Sequence, residues 1–140
     1  MMKIILVDNH TMFREGMKLW IENVGLGEVI AEASNGYEFI DLLRIMTPDL
    51  VIMDFELPLM NGVEATKFAL KIQPEIKILG ITLQNDLDKY IEMILAGAIG
   101  FMLKTSGKDE FEKAIKSVVM GECYFSEDLV HLKQKELIIY

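Results

Sequence analysis

One cysteine, Cys123, leaves no partner for an internal disulfide. It reads as a small buried or half-buried hydrophobe rather than a reactive thiol, and a reducing cytoplasm is the expected home. No apolar stretch approaches the roughly 18 residues of a membrane span. The N-terminus, MMKIILVDNH, meets an acid at Asp8, so it is read as neither a secretory signal nor an anchor. Basic residues are also short: 14 Lys and Arg stand against 22 Asp and Glu, for a net charge of −8, and they are scattered. Phosphate neutralisation dominates nucleic-acid affinity, so this chain alone is a poor DNA binder. A role in transcription would need another segment to supply the basic surface. Internal repeats and low-complexity linkers are missing too. What remains is 140 residues, 51% apolar. That is enough for one domain with a core of its own, and it fits a sheet covered on both faces.

What is present is a repeated pairing of a short apolar run with a polar residue at its end. KIILVD closes on Asp8, DLVIMD on Asp54, IKILGIT on Thr82 and GFMLK on Lys104. These runs predict strands near 3–7, 28–33, 50–53, 77–81 and 100–103, with helices near 11–24, 36–46, 62–73, 86–97 and 107–120. Phe13, Met17, Trp20, Ile21 and Val24 recur at the helical period and read as core. Asn35 with Glu38, and Ser106 with Asp109, have capping-box spacing, while Pro48 and Pro74 close the helices before two strands. Strands alternating with helices predict a parallel sheet, whose strand carboxyl ends line one edge and bind ligands there. Two acids, a hydroxyl and an ammonium would then converge, a place to hold a divalent cation and an oxyanion together.

Singly, each residue has a plainer reading. An Asp closing a strand often only caps the next helix, Thr82 and Lys104 are ordinary loop residues, and Phe101 is core. His10 reads as a helix-start residue rather than a metal ligand, because no second His or Cys lies near it in sequence. His131 reads as exposed. Residues 123–140 stand apart from 1–122: Ser126 could cap a last helix with Glu127 and Asp128 in its first turn. The run Leu137-Ile138-Ile139-Tyr140 is read either as packing, against the domain or a second copy, or as the start of a linker to an output domain.

Asp8, the segment Asp54-Phe55-Glu56-Leu57-Pro58-Leu59-Met60-Asn61-Gly62, Thr82 and Lys104 together resemble the receiver domain of two-component response regulators. HTMFREGMK, EASNGYEFI and Lys104-Thr105 with no following proline look like its LuxR/NarL-type subfamily. The resemblance implies a flavodoxin-like α/β fold: a doubly wound, five-stranded parallel sheet of order 2-1-3-4-5 with helices on both faces. It implies a cytoplasmic protein of a phosphorelay in which Asp54 accepts a phosphoryl group from a sensor histidine kinase. Asp8, Asn9, Asp54 and the Glu56 carbonyl would hold Mg²⁺, Thr82 and Lys104 would contact phosphoryl oxygens, and Thr82 with Phe101 would form the switch. Partners would be the kinase, a second copy of the chain, and DNA only through a helix-turn-helix domain beyond residue 140; no membrane is implied.

Residue chemistry agrees with the resemblance. A carboxylate attacking phosphorus gives a reactive acyl phosphate. The loose transition state asks for positioning and neutralised oxygens. Mg²⁺ suits carboxylates and water, Lys104 adds a point charge, and Thr82 can donate a hydrogen bond. Phe101 turning in as Thr82 is drawn inward would couple a charge change to a remote surface. The departure is Asn9, where the family has a second acid; one lost charge implies weaker Mg²⁺ binding and an Asp54 nearer ordinary ionisation. Glu56 and Gln84 occupy positions where the family tunes phosphoryl loss. Rival readings are a stand-alone or phosphate-independent receiver acting by protein contact, and an Asp-nucleophile phosphohydrolase. The latter would normally carry a second Asp where Glu56 stands. Flavin binding lacks the hydroxyl- and glycine-rich loop after the first strand.

Overall fold

The computed structural model describes residues 1–125. Strands and helices alternate: β1 Lys3–Val7, α1 Thr11–Asn23, β2 Glu28–Ala33, α2 Gly36–Leu43, β3 Leu50–Asp54, α3 Gly62–Ile72, β4 Ile78–Thr82, α4 Leu87–Ala96, β5 Gly100–Leu103, α5 Lys108–Val119 and β6 Tyr124–Phe125. Every strand pairing is parallel, and the order across the sheet is β2-β1-β3-β4-β5-β6. This is the expected doubly wound architecture with one correction: the sheet has six strands, not five. After α5 the chain turns at Gly121, whose φ of 86° suits glycine, and returns beside β5. Tyr124 and Phe125 then pair with Gly100 and Phe101, covering an edge that would otherwise present unpaired backbone. Two residues are too few for any strand periodicity to show in sequence. The predicted helix capped by Ser126, and everything said of 126–140, lies outside the described residues.

β1, β3 and β4 are buried on both faces, so alternate side chains feed two cores. Val51 and Met53 of β3 join Phe39, Ile40, Ala65, Ala69 and Met93 of α2, α3 and α4. Leu50 and Ile52 join Met17 and Ile21 of α1 and Phe111, Ile115 and Val118 of α5. Truncating such a buried aliphatic to alanine costs about 2–5 kcal/mol. The apolar stripe of α1 is core in part: Met17 and Ile21 are buried, Phe13 and Trp20 half-buried, and Val24, the residue that caps the helix, is exposed.

The predicted cap at Asn35 forms, its side chain accepting from the Glu38 N–H at 2.9 Å. The one at Ser106 does not: the N-cap of α5 falls a residue later, on Gly107, with no side-chain cap. Asn61 caps α3 through the Glu64 N–H at 2.9 Å, and Asp86 caps α4. α2 ends at Leu43 rather than Met46, because the following residues turn toward Pro48.

Candidate functional site at the carboxyl ends of the strands

Five polar or charged residues are buried among the described ones: Asp8, Asp54, Thr66, Thr82 and Lys104. Four of these are the four that close the apolar runs. Burying a charge is strongly unfavourable unless it is paired. The backbone and one ammonium do the pairing here.

Each acid is first fixed by its own loop. Asp8 follows the last residue of β1, and its Oδ1 accepts from the His10 N–H at 2.7 Å. Asp54 ends β3, and its Oδ1 accepts from the Glu56 N–H at 3.0 Å. Both are Asx turns, in which a short carboxylate bonds the backbone two residues on. Arg14 clamps the first loop from α1, donating to the Asp8 carbonyl. The second loop is held from below by Gly62: a Cβ there would lie 2.4 Å from the Asp54 carbonyl oxygen and 2.9 Å from the Phe55 Cα. α3 can therefore start against the end of β3 only with glycine at this position. The same loop carries Leu59 at φ 69°, a left-handed conformation that non-glycine residues seldom adopt.

Lys104 binds the two acids together. Its backbone N–H donates to the Thr82 carbonyl at 2.7 Å, and its side chain passes the Phe13 ring, with Nζ 4.8 Å from the centroid. Nζ then lies 2.9 Å from Asp54 Oδ2, 2.7 Å from Asp8 Oδ2 and 2.9 Å from His10 Nδ1. The contact to Asp8 is at ion-pair distance but poorly aligned, so that oxygen accepts no proper hydrogen bond. Burial pushes the Asp54 carboxyl above its ordinary value, and the neighbouring Asp8 charge adds to this. Hydrogen bonds from Lys104 and from the Glu56 N–H pull the other way without cancelling it.

The mouth of the site is bridged by α4. Lys89 donates to both the Glu56 carboxylate and the Gln84 side-chain oxygen. Thr82 Oγ1 accepts from the Gln84 N–H at 3.3 Å and is not bonded to Asp54 or Lys104. Phe101 is fully buried on β5, with the Tyr90 ring of α4 6.2 Å away; Tyr90 in turn packs edge-on against Phe125 of β6 at 5.2 Å.

Asp8, Asp54 and Lys104 thus meet as expected, with Thr82 one strand away. Asn9 does not join them: it is exposed and takes no part in the hydrogen bonds and ion pairs of the cluster. Glu56 contributes its backbone N–H to Asp54, while its carboxylate turns out to Lys89. His10 is the N-cap of α1, as its helix-start reading implies, but its side chain makes no cap and lies over the acids instead. Among the described residues, Asp8, His10 and Asp54 each offer one ligand atom within 4.8 Å of the others. Two buried carboxylates meet the oxygen preference of a divalent cation, so the residues fit such an ion. Sequence reading passed over His10 for want of nearby His or Cys, yet it stands two residues after Asp8, as Glu56 stands after Asp54. Lys89 carried no sequence signal at all.

Residues 4–116 match the family model described as the response regulator receiver domain. The chain is 38% identical over 122 residues to the transcriptional regulatory protein LiaR of Bacillus subtilis, covering 87% of this chain and 58% of that protein. It is 31% identical over 134 residues to DegU of Brevibacillus brevis, covering 96% and 57%. It therefore spans a little under three-fifths of the length of these curated relatives. A LuxR-family two-component response regulator from Aurantimonas superposes with a TM-score of 0.93 at 33% identity, over 98% of each chain. The signal receiver domain of a NarL regulator from Mycobacterium tuberculosis gives 0.80 at 26% identity, over 86% of this chain and 98% of that one.

Proposed function

Because this chain belongs to the response regulator receiver domain family, with LuxR-family relatives, we propose that it is a phosphorylation switch whose acceptor is Asp54. The observation that carries the reading is the shared ammonium: Lys104 Nζ reaches Asp54 and Asp8 at 2.9 and 2.7 Å. A buried cation between two buried acids suits a site that must later accept a phosphoryl group and its added charge.

The donor is the phosphohistidine of a sensor kinase. As the bond from an Asp54 carboxylate oxygen to phosphorus forms, the phosphorus–nitrogen bond breaks and the departing imidazole takes up a proton. The Glu56 N–H holds the nucleophile in line, and its carboxylate form at neutral pH is favoured by Lys104. Lys104 moves with the new oxyanion and neutralises it. A divalent cation such as Mg²⁺, held by Asp8 and Asp54, would neutralise the remaining phosphoryl oxygens. Asn9, exposed beside this site, supplies no charge to it.

Thr82 exchanges its bond with the Gln84 N–H for one to a phosphoryl oxygen and moves inward. Phe101 is already buried, so its part is a population shift: Thr82 moving in suppresses outward excursions of the ring. Tyr90 and Phe125, packed beside it, carry the change to α4 and the sixth strand. The Lys89 bridge engages Glu56 and turns its carboxylate away from Asp54, which disfavours a phosphohydrolase using Glu56 as acid/base. By their printed names, LiaR and DegU are transcriptional regulatory proteins. Output through a DNA-binding segment, in a cytoplasmic protein that also pairs with a second copy, is part of the same proposal. No described helix is long and apolar enough to cross a membrane.

Intact mass after incubation with acetyl phosphate tests the reading, with and without Mg²⁺ and beside Asp54→Asn. The expected result is a cation-dependent gain of one phosphoryl group that the variant lacks. A gain retained in the variant would move the acceptor elsewhere.

A further inference from the structure

We infer that His10 completes the cation site at Asp8 and Asp54, and that the site prefers a borderline divalent transition ion, of the Co²⁺ or Zn²⁺ kind, to Mg²⁺. The inference rests on the reading of those acids as the cation site and changes its ligand set and its ion.

The His10 ring does not cap α1. Its Nδ1 lies 2.9 Å from Lys104 Nζ, 3.4 Å from Asp8 Oδ1 and 4.0 Å from Asp54 Oδ2. An ammonium has only donors, so Nδ1 meets it with a lone pair and the ring proton sits on Nε2. The lone pair a metal would use therefore points into the cluster. The ammonium is itself a cation seated among these ligand atoms.

The spacings from His10 to the two acids agree with a shared ion. Two atoms bound to one ion at about 2.1 Å lie about 3.0 Å apart at a right angle and about 4.2 Å apart when opposite. The observed 3.4 and 4.0 Å fall inside that span. Asp8 is 3% exposed, and its Oδ2 accepts no aligned hydrogen bond from the ammonium 2.7 Å away. It is a buried acceptor that an ion could satisfy better than the lysine does.

Ligand chemistry then selects the ion. Mg²⁺ takes oxygen ligands and keeps its waters, whereas imidazole suits Zn²⁺, Co²⁺ and Ni²⁺. Asn9, at the position where a second acid would harden the site, is exposed and outside it. Ligation through Nδ1 would also detach Lys104 from His10, freeing the ammonium for an oxyanion on Asp54.

Calorimetric titration of the full chain with Mg²⁺ and with Co²⁺ tests this, without any phosphoryl donor. Cys123→Ser and His131→Gln form the background, removing other nitrogen and sulfur ligands. Co²⁺ outbinds Mg²⁺ at most sites, so the diagnostic quantity is its dependence on His10. His10→Ala is expected to weaken Co²⁺ about tenfold or more and Mg²⁺ less than about twofold. Asp8→Asn should weaken both ions. An unchanged Co²⁺ affinity in His10→Ala, or equal losses for the two ions, overturns the role of His10 and leaves the Asp8–Asp54 site standing. Binding of both ions untouched by Asp8→Asn, or no binding of either, overturns the site and the inference together.

Discussion

The two ends of the sheet handle charge in opposite ways. At the amino ends of the strands, polar groups are exposed or half-buried, and those that pair do so one to one. Asp49 accepts from the Lys3 N–H at 2.7 Å, and Lys77 donates to the Val119 carbonyl at 2.8 Å. At the carboxyl ends, two buried carboxylates and an imidazole share one ammonium. The first arrangement is closed and gains a little stability at each contact. The second leaves acceptors unevenly satisfied, and burial there holds the Asp54 pKa above its ordinary value, as is common at sites built to take a ligand. The proposed function belongs to the end where the fold is electrostatically unfinished.

Removing the shared cation should break this contrast most severely. Lys104→Met leaves two buried acids facing each other, and urea unfolding without metal should show a loss of about 3–5 kcal/mol. Adding Asp54→Asn should restore a large part of it. Crowding the loop comes next: Gly62→Ala drives a methyl into the Asp54 carbonyl and should cost about 1–3 kcal/mol while lowering the rate of phosphoryl uptake from acetyl phosphate.

Relieving the unfinished end should have the opposite sign. The folded Asp54 pKa is above the unfolded value of 3.8, so the folded chain holds the proton more tightly. Well above the folded pKa both states are ionised and folding carries the full penalty; below 3.8 both are protonated and it vanishes. Asp54→Asn should therefore stabilise the metal-free protein at neutral pH, by an amount on the order of 1 kcal/mol, as befits a buried charge replaced by a neutral group of the same shape. That advantage should shrink as pH falls through the folded pKa toward 3.8. Denaturant midpoints from about pH 4 to about pH 8 measure it, and a pH-independent difference would contradict the burial effect. The smallest effect belongs to the other end: Lys77→Met should cost no more than about 1 kcal/mol and leave phosphoryl uptake unchanged.

Much of this was readable in the sequence because the strands here are short, continuous apolar runs. KIILVD and DLVIMD each close on an acid, and a parallel sheet of such strands brings their ends to one edge whatever the details between. Pairing Asn35 with Glu38 worked because a cap is a local event. Ser106 with Asp109 has the same spacing and forms no cap, since the N-cap of α5 falls a residue later, on Gly107. β6 escaped notice because two residues have no period, and what makes Tyr124 and Phe125 a strand is the open edge of β5. His10 starts α1 as its place in the sequence implies, yet its ring meets Lys104, 94 residues away. Lys89 joins Glu56 and Gln84 for the same kind of reason: α4 happens to cross the mouth there.

Local pattern was thus enough to establish the alternation of elements, the polar residue at each strand end and the family to which the chain belongs. Such features rest on short-range periodicity and on a topology with few alternatives. Only folding in three dimensions decided that one ammonium lies among two carboxylates and an imidazole, that the exposed His10 ring rather than Asn9 lies over the acids, and that the sheet gains a sixth strand. Those outcomes depend on contacts between segments distant in the chain, where burial and charge compete over a few ångströms and no local pattern records the result.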